Sequence, residues 1–142
     1  MIEMIREMMK SESTHPPVAR LIGFRIVECS EGQSKLTLKT SSRHYNPMGT
    51  VHGGVLCDVA DAAMGLAFAS TLDDGESFTT IDLQMSYLRP VWETTLSAVA
   101  RVVKRGRTIG YTECEVFDEH QKLVAKGMSH CLVLRGDAAT GR

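Results

Sequence analysis

Apolar and polar positions along this 142-residue chain change their period several times, and each change marks a new element. Ile2, Ile5, Met8 and Met9 recur at helical spacing, and after Pro16 and Pro17 the run from Val18 to Ile22 fits another turn or two of helix. These pieces predict a helical cap over residues 1–22. From Gly23 the texture becomes strand-like, GFRIVECS and then SKLTLKT, with Glu31-Gly32 placed for a tight turn, so a hairpin is expected. Residues 41–52, SSRHYNPMGTVH, are polar and contain Pro47 and Gly49, which suits an irregular loop of the kind that often carries function.

The next segment, GGVLCDVADAAMGLAFAS, is rich in Ala, Leu and Met and apolar on nearly every side, the pattern of a helix buried all round. It is the one long helix the pattern predicts. Beyond Asp73-Asp74-Gly75 come four β-rich runs, near 77–88, 94–104, 108–117 and 122–134, broken at Arg89-Pro90, Arg105-Gly106 and Asp118-Glu119. They predict an antiparallel meander. The tail GDAATGR has little to bury and is expected to fray over 135–142. One apolar helix set between strands is buried best by a sheet that curls around it. The expected fold is therefore α+β: a hotdog, a curved antiparallel sheet wrapped around one long central helix, in a single domain over 1–142.

Composition narrows the function. A hydrophobic fraction of 43% with 23% charged residues is ordinary for a packed globular domain. A net charge of −1 offers no broad positive field to a phosphate backbone, so nucleic acid is not an expected partner. Cys29, Cys57, Cys114 and Cys131 form no CxxC pair and sit in regular elements, which predicts reduced, buried thiols. Glu3 and Glu7 interrupt the opening segment, which lacks the pattern of an export signal. Asp58 and Asp61 break the longest apolar run short of the roughly 20 residues that span a bilayer. A soluble, cytoplasmic protein with no membrane partner is the expectation.

The candidate chemistry centres on the long helix. Gly53 and Gly54 open it, where unpaired backbone N–H groups and the positive end of the helix dipole can receive developing negative charge. Without a side chain, Gly53 lets a carbonyl approach its amide; the alternative is a helix start that needs only flexibility. Asp61 lies in a nearly all-apolar helix, where a carboxylate is costly unless it meets a partner or a polar cavity. Asp58, three residues earlier, reads as a solvated neighbour. Eight residues at about 1.5 Å each separate Gly53 from Asp61 by roughly 12 Å along one helix, so both cannot touch one reacting group unless the carboxylate comes from a second copy. No Ser-His-Asp order, G-x-S-x-G elbow or zinc spacing is present, and no metal is expected.

The segment HYNPMGTVHGGVLCDVADAAMG, followed by TTIDLQMSYLRP, resembles the PaaI-like branch of the hotdog thioesterases over roughly residues 20–134. That resemblance implies hydrolysis of acyl-CoA thioesters, with coenzyme A as part of the substrate and no separate cofactor. It implies a homodimer as the minimal active unit, with dimers paired into homotetramers. It assigns the oxyanion donor to the Gly53 N–H, a supporting role to Asn46, and the nucleophile or general base to Asp61. It gives the water-positioning hydroxyl to Thr80, although Thr79 points to the other face of the same strand. The helix has Gly65 one turn after Asp61, where some related enzymes carry a Ser or Thr, which favours a strand hydroxyl. His52 and Gly54 are candidates for substrate contact, His52 being equally suited to locking the loop. Arg89, Arg105 and Arg107 are candidates for the coenzyme A phosphates, with exposed hairpin charge as the simpler reading. Two other readings stay open: a non-catalytic acyl-CoA-binding module, and a hotdog enoyl-CoA hydratase or dehydratase.

Overall fold

In the computed structural model, which describes residues 2–11 and 14–141, nine elements follow one another. They are α1 (Ile2–Lys10), α2 (Pro17–Ile22), β1 (Phe24–Ser30), β2 (Gln33–Lys39), α3 (Gly53–Ala69), β3 (Ser77–Tyr87), β4 (Thr95–Arg105), β5 (Ile109–Phe117) and β6 (Leu123–Leu134). Short 3-10 turns add Ser42–His44 and Gly136–Ala139, so part of the tail expected to fray is turned.

The six strands form one antiparallel sheet in the order β1-β2-β4-β5-β6-β3. This corrects the meander. Strands β4, β5 and β6 follow one another as expected, but β3 lies beyond β6 at the far edge, and β4 pairs with β2. Arg89-Pro90 is not a hairpin turn, and residues 88–94 instead carry the chain between strands that are not neighbours.

Period-two burial turns one face of each strand inward: Ser34, Leu36 and Leu38 on β2, Leu96, Ala98 and Ala100 on β4, Thr112, Cys114 and Val116 on β5. Helix α3 lies across that face and buries Leu56, Val59, Ala60, Ala63, Met64, Ala67 and Phe68. Small residues opposite let it come close. A Cβ at Gly110 would stand 2.0 Å from the ring of Phe68, so only glycine fits there. The Ser34 hydroxyl donates to the Ala63 carbonyl at 2.6 Å and pins the helix to the sheet.

The opposite face of α3 is not buried in one copy. Val55, Cys57, Asp61, Ala62 and Leu66 are only half-buried and Asp58 is exposed, so the expectation of a helix buried all round fails for the single chain. The apolar composition that prompted it spans both faces, and the sheet covers one. Of the cysteines, Cys114 and Cys131 are buried while Cys29 and Cys57 are half-buried, and all four are free thiols. Burial pushes the Cys114 thiol up to about 12.

The loop before α3 is irregular but closely tied. His44 is buried: its Nδ1 accepts from the Ser41 N–H, its Nε2 bonds the Ile22 carbonyl at 2.8 Å, and its carbonyl accepts from the His52 N–H. Tyr45 and Val51 form an isolated bridge. These contacts fix the approach to the helix start.

Candidate functional site

At the start of α3, His52 is the N-cap, and its Nδ1 accepts the Gly54 N–H at 2.8 Å. That bond satisfies one of the orphan donors of the first turn and uses the Gly54 amide. The Gly53 N–H, by contrast, has no acceptor among the described residues, and it remains an unpaired donor of the first turn.

Tyr87, from the end of β3, packs directly on this glycine. Its hydroxyl donates to the Gly53 carbonyl at 3.0 Å and lies 3.0 Å from the Cys57 Sγ. A Cβ on Gly53 would stand 2.9 Å from the Tyr87 ring. The hydrogen bond with Cys57, with burial and the neighbouring thiol's charge adding to it, holds the Tyr87 phenol up to about 12, so it remains a donor at neutral pH. The sequence reading missed Tyr87. The signal was available: Leu83, Met85 and Tyr87 alternate onto one face of β3.

Asn46 shares an open cleft of about 430 Å³ with Gly53, Tyr87 and Arg89. Its carboxamide oxygen accepts the Met48 and Thr50 N–H groups, at 2.9 and 3.3 Å, and its Nδ2 donates to the Thr50 hydroxyl at 3.0 Å. The side chain is thus a turn anchor, with one N–H of the amide left over from its two.

Asp61 is presented to a different cleft, of about 310 Å³, with Cys57, Asp58, Thr80 and Ile81–Leu83 around it. The Thr80 hydroxyl donates to its Oδ1 at 3.4 Å. Burial raises the Asp61 carboxyl above its ordinary value; the Thr80 hydrogen bond opposes the rise and the charge of Asp58 adds to it.

A β-bulge explains how one strand serves both clefts. The β3–β6 register slips between Thr80 and Asp82, leaving Ile81 as the extra residue. Phe78 and Thr80 face the helix before the bulge, and Leu83, Met85 and Tyr87 face it afterwards. On α3, residues 53, 57, 61 and 65 form one stripe at four-residue spacing. Tyr87 lies over the first two, Thr80 meets Asp61 and Phe78 lies against Gly65. The structure therefore brings Asn46 and Gly53 together, and Asp61 and Thr80 together, at places about 12 Å apart along the helix. It does not unite the four in one chain.

The arginines divide. Arg89 lines the Asn46–Gly53 cleft. Arg105 turns inward, its Nη2 2.6 Å from Glu76 Oε2 and its guanidinium 5.3 Å from the Phe68 ring centre, while Arg135 bonds the other oxygen of Glu76. Arg105 is thus a tie between β4 and the segment after α3, sharing the single carboxylate of Glu76 with Arg135. Arg107 is exposed at the β4–β5 turn, its guanidinium without a partner among the described residues. No group of three His, Cys, Asp or Glu side chains suited to a metal occurs among the described residues.

With that geometry in view, the comparisons with known proteins agree on one class. The profile of the Thioesterase superfamily matches residues 48–125. Acyl-coenzyme A thioesterase PaaI of Escherichia coli K12 is 34% identical over 116 residues, covering 79% of this chain and 80% of its own. Human acyl-coenzyme A thioesterase 13 is 25% identical over 130 residues, covering 89% and 92%. Among solved structures, a phenylacetic acid degradation-related protein of Ralstonia eutropha JMP134 superposes with a TM-score of 0.80 at 30% identity, covering 89% of this chain and 97% of that one. The chain belongs to the thioesterase superfamily, has its hotdog fold, and is an enzyme of the thioesterase class. Among the described residues no helix is long and apolar enough to cross a membrane.

Proposed function

We propose that this enzyme hydrolyses acyl-CoA thioesters to a free acid and coenzyme A, in a site completed by a second copy of the chain. One observation carries the reading. Gly53 and Asp61 lie on one unbroken 17-residue helix and face separate clefts, so each copy holds two half-sites and no whole one. Two copies with α3 side by side and antiparallel would set the Asp61 of each opposite the Gly53 of the other, and would cover the half-buried face of the helix. Dimers of this kind, paired into a tetramer, are the assembly proposed.

In this site the Gly53 N–H and the spare Nδ2 hydrogen of Asn46 hold the thioester oxygen. Asp61 takes a proton from a water that the Thr80 hydroxyl helps to place, and the water oxygen bonds to the carbonyl carbon. The negative charge that forms on the oxygen is stabilised by the Gly53 amide and the positive end of the helix dipole. Collapse of the intermediate breaks the C–S bond, and coenzyme A leaves as a thiolate that takes up a proton. Arg89, on the wall of the cleft, and Arg107 are the cations proposed for its phosphates. Relatives 34% and 25% identical that are acyl-coenzyme A thioesterases support the choice of thioester.

Thiol release from a panel of acyl-CoAs, compared between wild type and Asp61→Asn at verified equal assembly, tests the proposal. Turnover that falls at least a hundredfold in the variant is expected. Binding without thiol release by the wild type on every substrate would refute hydrolysis.

A further inference from the structure

Asp61 and Thr80 border a second, quite different space. Beside the polar cleft they line a half-open cavity of about 390 Å³ bounded by this chain's own elements: the cap helices α1 and α2, strand β1, the outer face of α3 and the start of β3. Its walls are apolar, with Met4 and Met8 one turn apart on α1, Phe24 and Ile26 on β1, and Leu66 on α3. No Lys or Arg is among the described residues that line it, and its polar groups are confined to His15, Asp61, Ser77 and Thr80.

Resting on the hydrolysis proposed above, we infer that this cavity is the acyl pocket and that its cap selects straight-chain acyl groups of medium length over short or aromatic ones. The position of the carboxylate supplies the direction. A thioester attacked at Asp61 has a charged, hydrated side, which belongs toward the Asn46–Gly53–Arg89 cleft supplied by the second copy, and an apolar side, which belongs in the apolar cavity that Asp61 and Thr80 border.

The dimensions supply the length. The cavity follows α3 from Asp61 to Ala69, eight residues or about 12 Å of helix. An extended alkyl chain advances about 1.25 Å per carbon, given C–C bonds of about 1.5 Å, so the cavity accepts roughly eight to ten carbons. A phenylacetyl group occupies only the near half. Methionine walls suit a flexible chain, being unbranched and adaptable themselves. Gly65 keeps the middle open: a Cβ there would already stand 3.4 Å from the Phe78 ring.

The test is kcat/KM for thiol release from butyryl-, hexanoyl-, octanoyl-, decanoyl-, tetradecanoyl- and phenylacetyl-CoA, with Gly65→Leu to fill the cavity and Met4→Asp to put a charge on its wall. Met4 is half exposed in the first turn of α1, where an acidic residue suits the helix, so the second variant tests the cavity even if the first fails to fold. In the wild type, kcat/KM is expected to rise about two- to fourfold per added methylene up to eight to ten carbons, with phenylacetyl-CoA at least fivefold below the maximum. Either variant is expected to lower the decanoyl-to-butyryl ratio by about threefold or more. Turnover with no dependence on chain length, or a ratio unmoved by Met4→Asp, would overturn the acyl pocket while leaving hydrolysis standing. If no acyl-CoA is turned over, hydrolysis itself is refuted, and calorimetry decides the pocket alone: tighter binding of decanoyl- than butyryl-CoA supports it, and equal binding overturns it.

Discussion

The hydroxyl of Tyr87 donates to the carbonyl of Gly53 at 3.0 Å, and the Tyr87 ring fills the space in which a Gly53 side chain would stand. The last residue of β3 thus holds the first residue of α3, and the peptide that follows the proposed oxyanion donor cannot turn freely. Tyr87→Phe keeps the ring and removes the hydrogen bond, worth about 1 kcal/mol net. It should lower kcat/KM about three- to tenfold with little change in KM. Gly53→Ala, which forces the ring away, should cost more than a hundredfold. Steady-state thiol release on both variants checks the order; a Tyr87→Phe enzyme with full activity would show that the hydrogen bond positions nothing.

The Asp61 carboxyl stands above its ordinary value, through burial first and the Asp58 charge in addition. Only the ionised form can take a proton from water, so activity should rise with pH along a limb above the usual aspartate pKa of about 3.9. Asp58→Asn removes a like charge, and the limb should move to lower pH. For stability the sign is opposite. Because the folded value lies above the unfolded one, this group costs the fold stability as pH rises between the two values, and the cost persists at neutral pH. Asp61→Asn should therefore raise the Tm at pH 7 while abolishing turnover. A pH–rate profile and thermal melts on the three proteins measure both effects; an acid limb unchanged by Asp58→Asn would remove Asp61 from the role.

Arg105 and Glu76 give a contrasting case, in which charge serves the fold. Glu76→Gln leaves the Arg105 guanidinium partly buried with a weaker partner and should cost about 2 kcal/mol by urea unfolding, with thiol release per folded molecule retained. A variant as stable as the wild type would show the ion pair to be surface ornament.

Arg89 should behave differently from both. Arg89→Ala is expected to raise KM for acyl-CoA about fivefold to tenfold through a lost phosphate contact. The same acyl group on N-acetylcysteamine, which has no phosphate, should show no change. Equal effects on both substrates would mean that Arg89 shapes the cleft and does not bind the nucleotide end.

Much of this was readable in the chain. Helix α3, the β1–β2 hairpin and the four later strands lie where the hydrophobic period puts them, because period reports which face is buried. It does not report the neighbour. The pairing of β3 with β6 joins Ser77 to Leu134 across 57 positions, and only the closed sheet selects it. The same limit hid the inward turn of Arg105, whose partner Glu76 lies 29 residues away. Asp61 stood out as a carboxylate in an apolar helix, whereas the bulge at Ile81, which lets Thr80 and Tyr87 face one helix, leaves no mark in the alternation of TTIDLQMSY. Asn46 shows the reverse: its turn-forming role follows from Asn-Pro chemistry alone, and the loop hydrogen bonds fulfil it.

The central claim, a site shared between two copies, is tested most directly by mixing two inactive enzymes. Gly53→Ala chains and Asp61→Asn chains carrying different tags are co-expressed, and dimers holding one of each are isolated. In such a dimer one site carries both lesions and the other carries neither, so about half of the wild-type rate should return by two-fold symmetry. Mixed dimers, verified by native mass spectrometry, that remain as inactive as their parents would mean that each site takes its Gly53 and its Asp61 from one and the same chain, and would contradict the account.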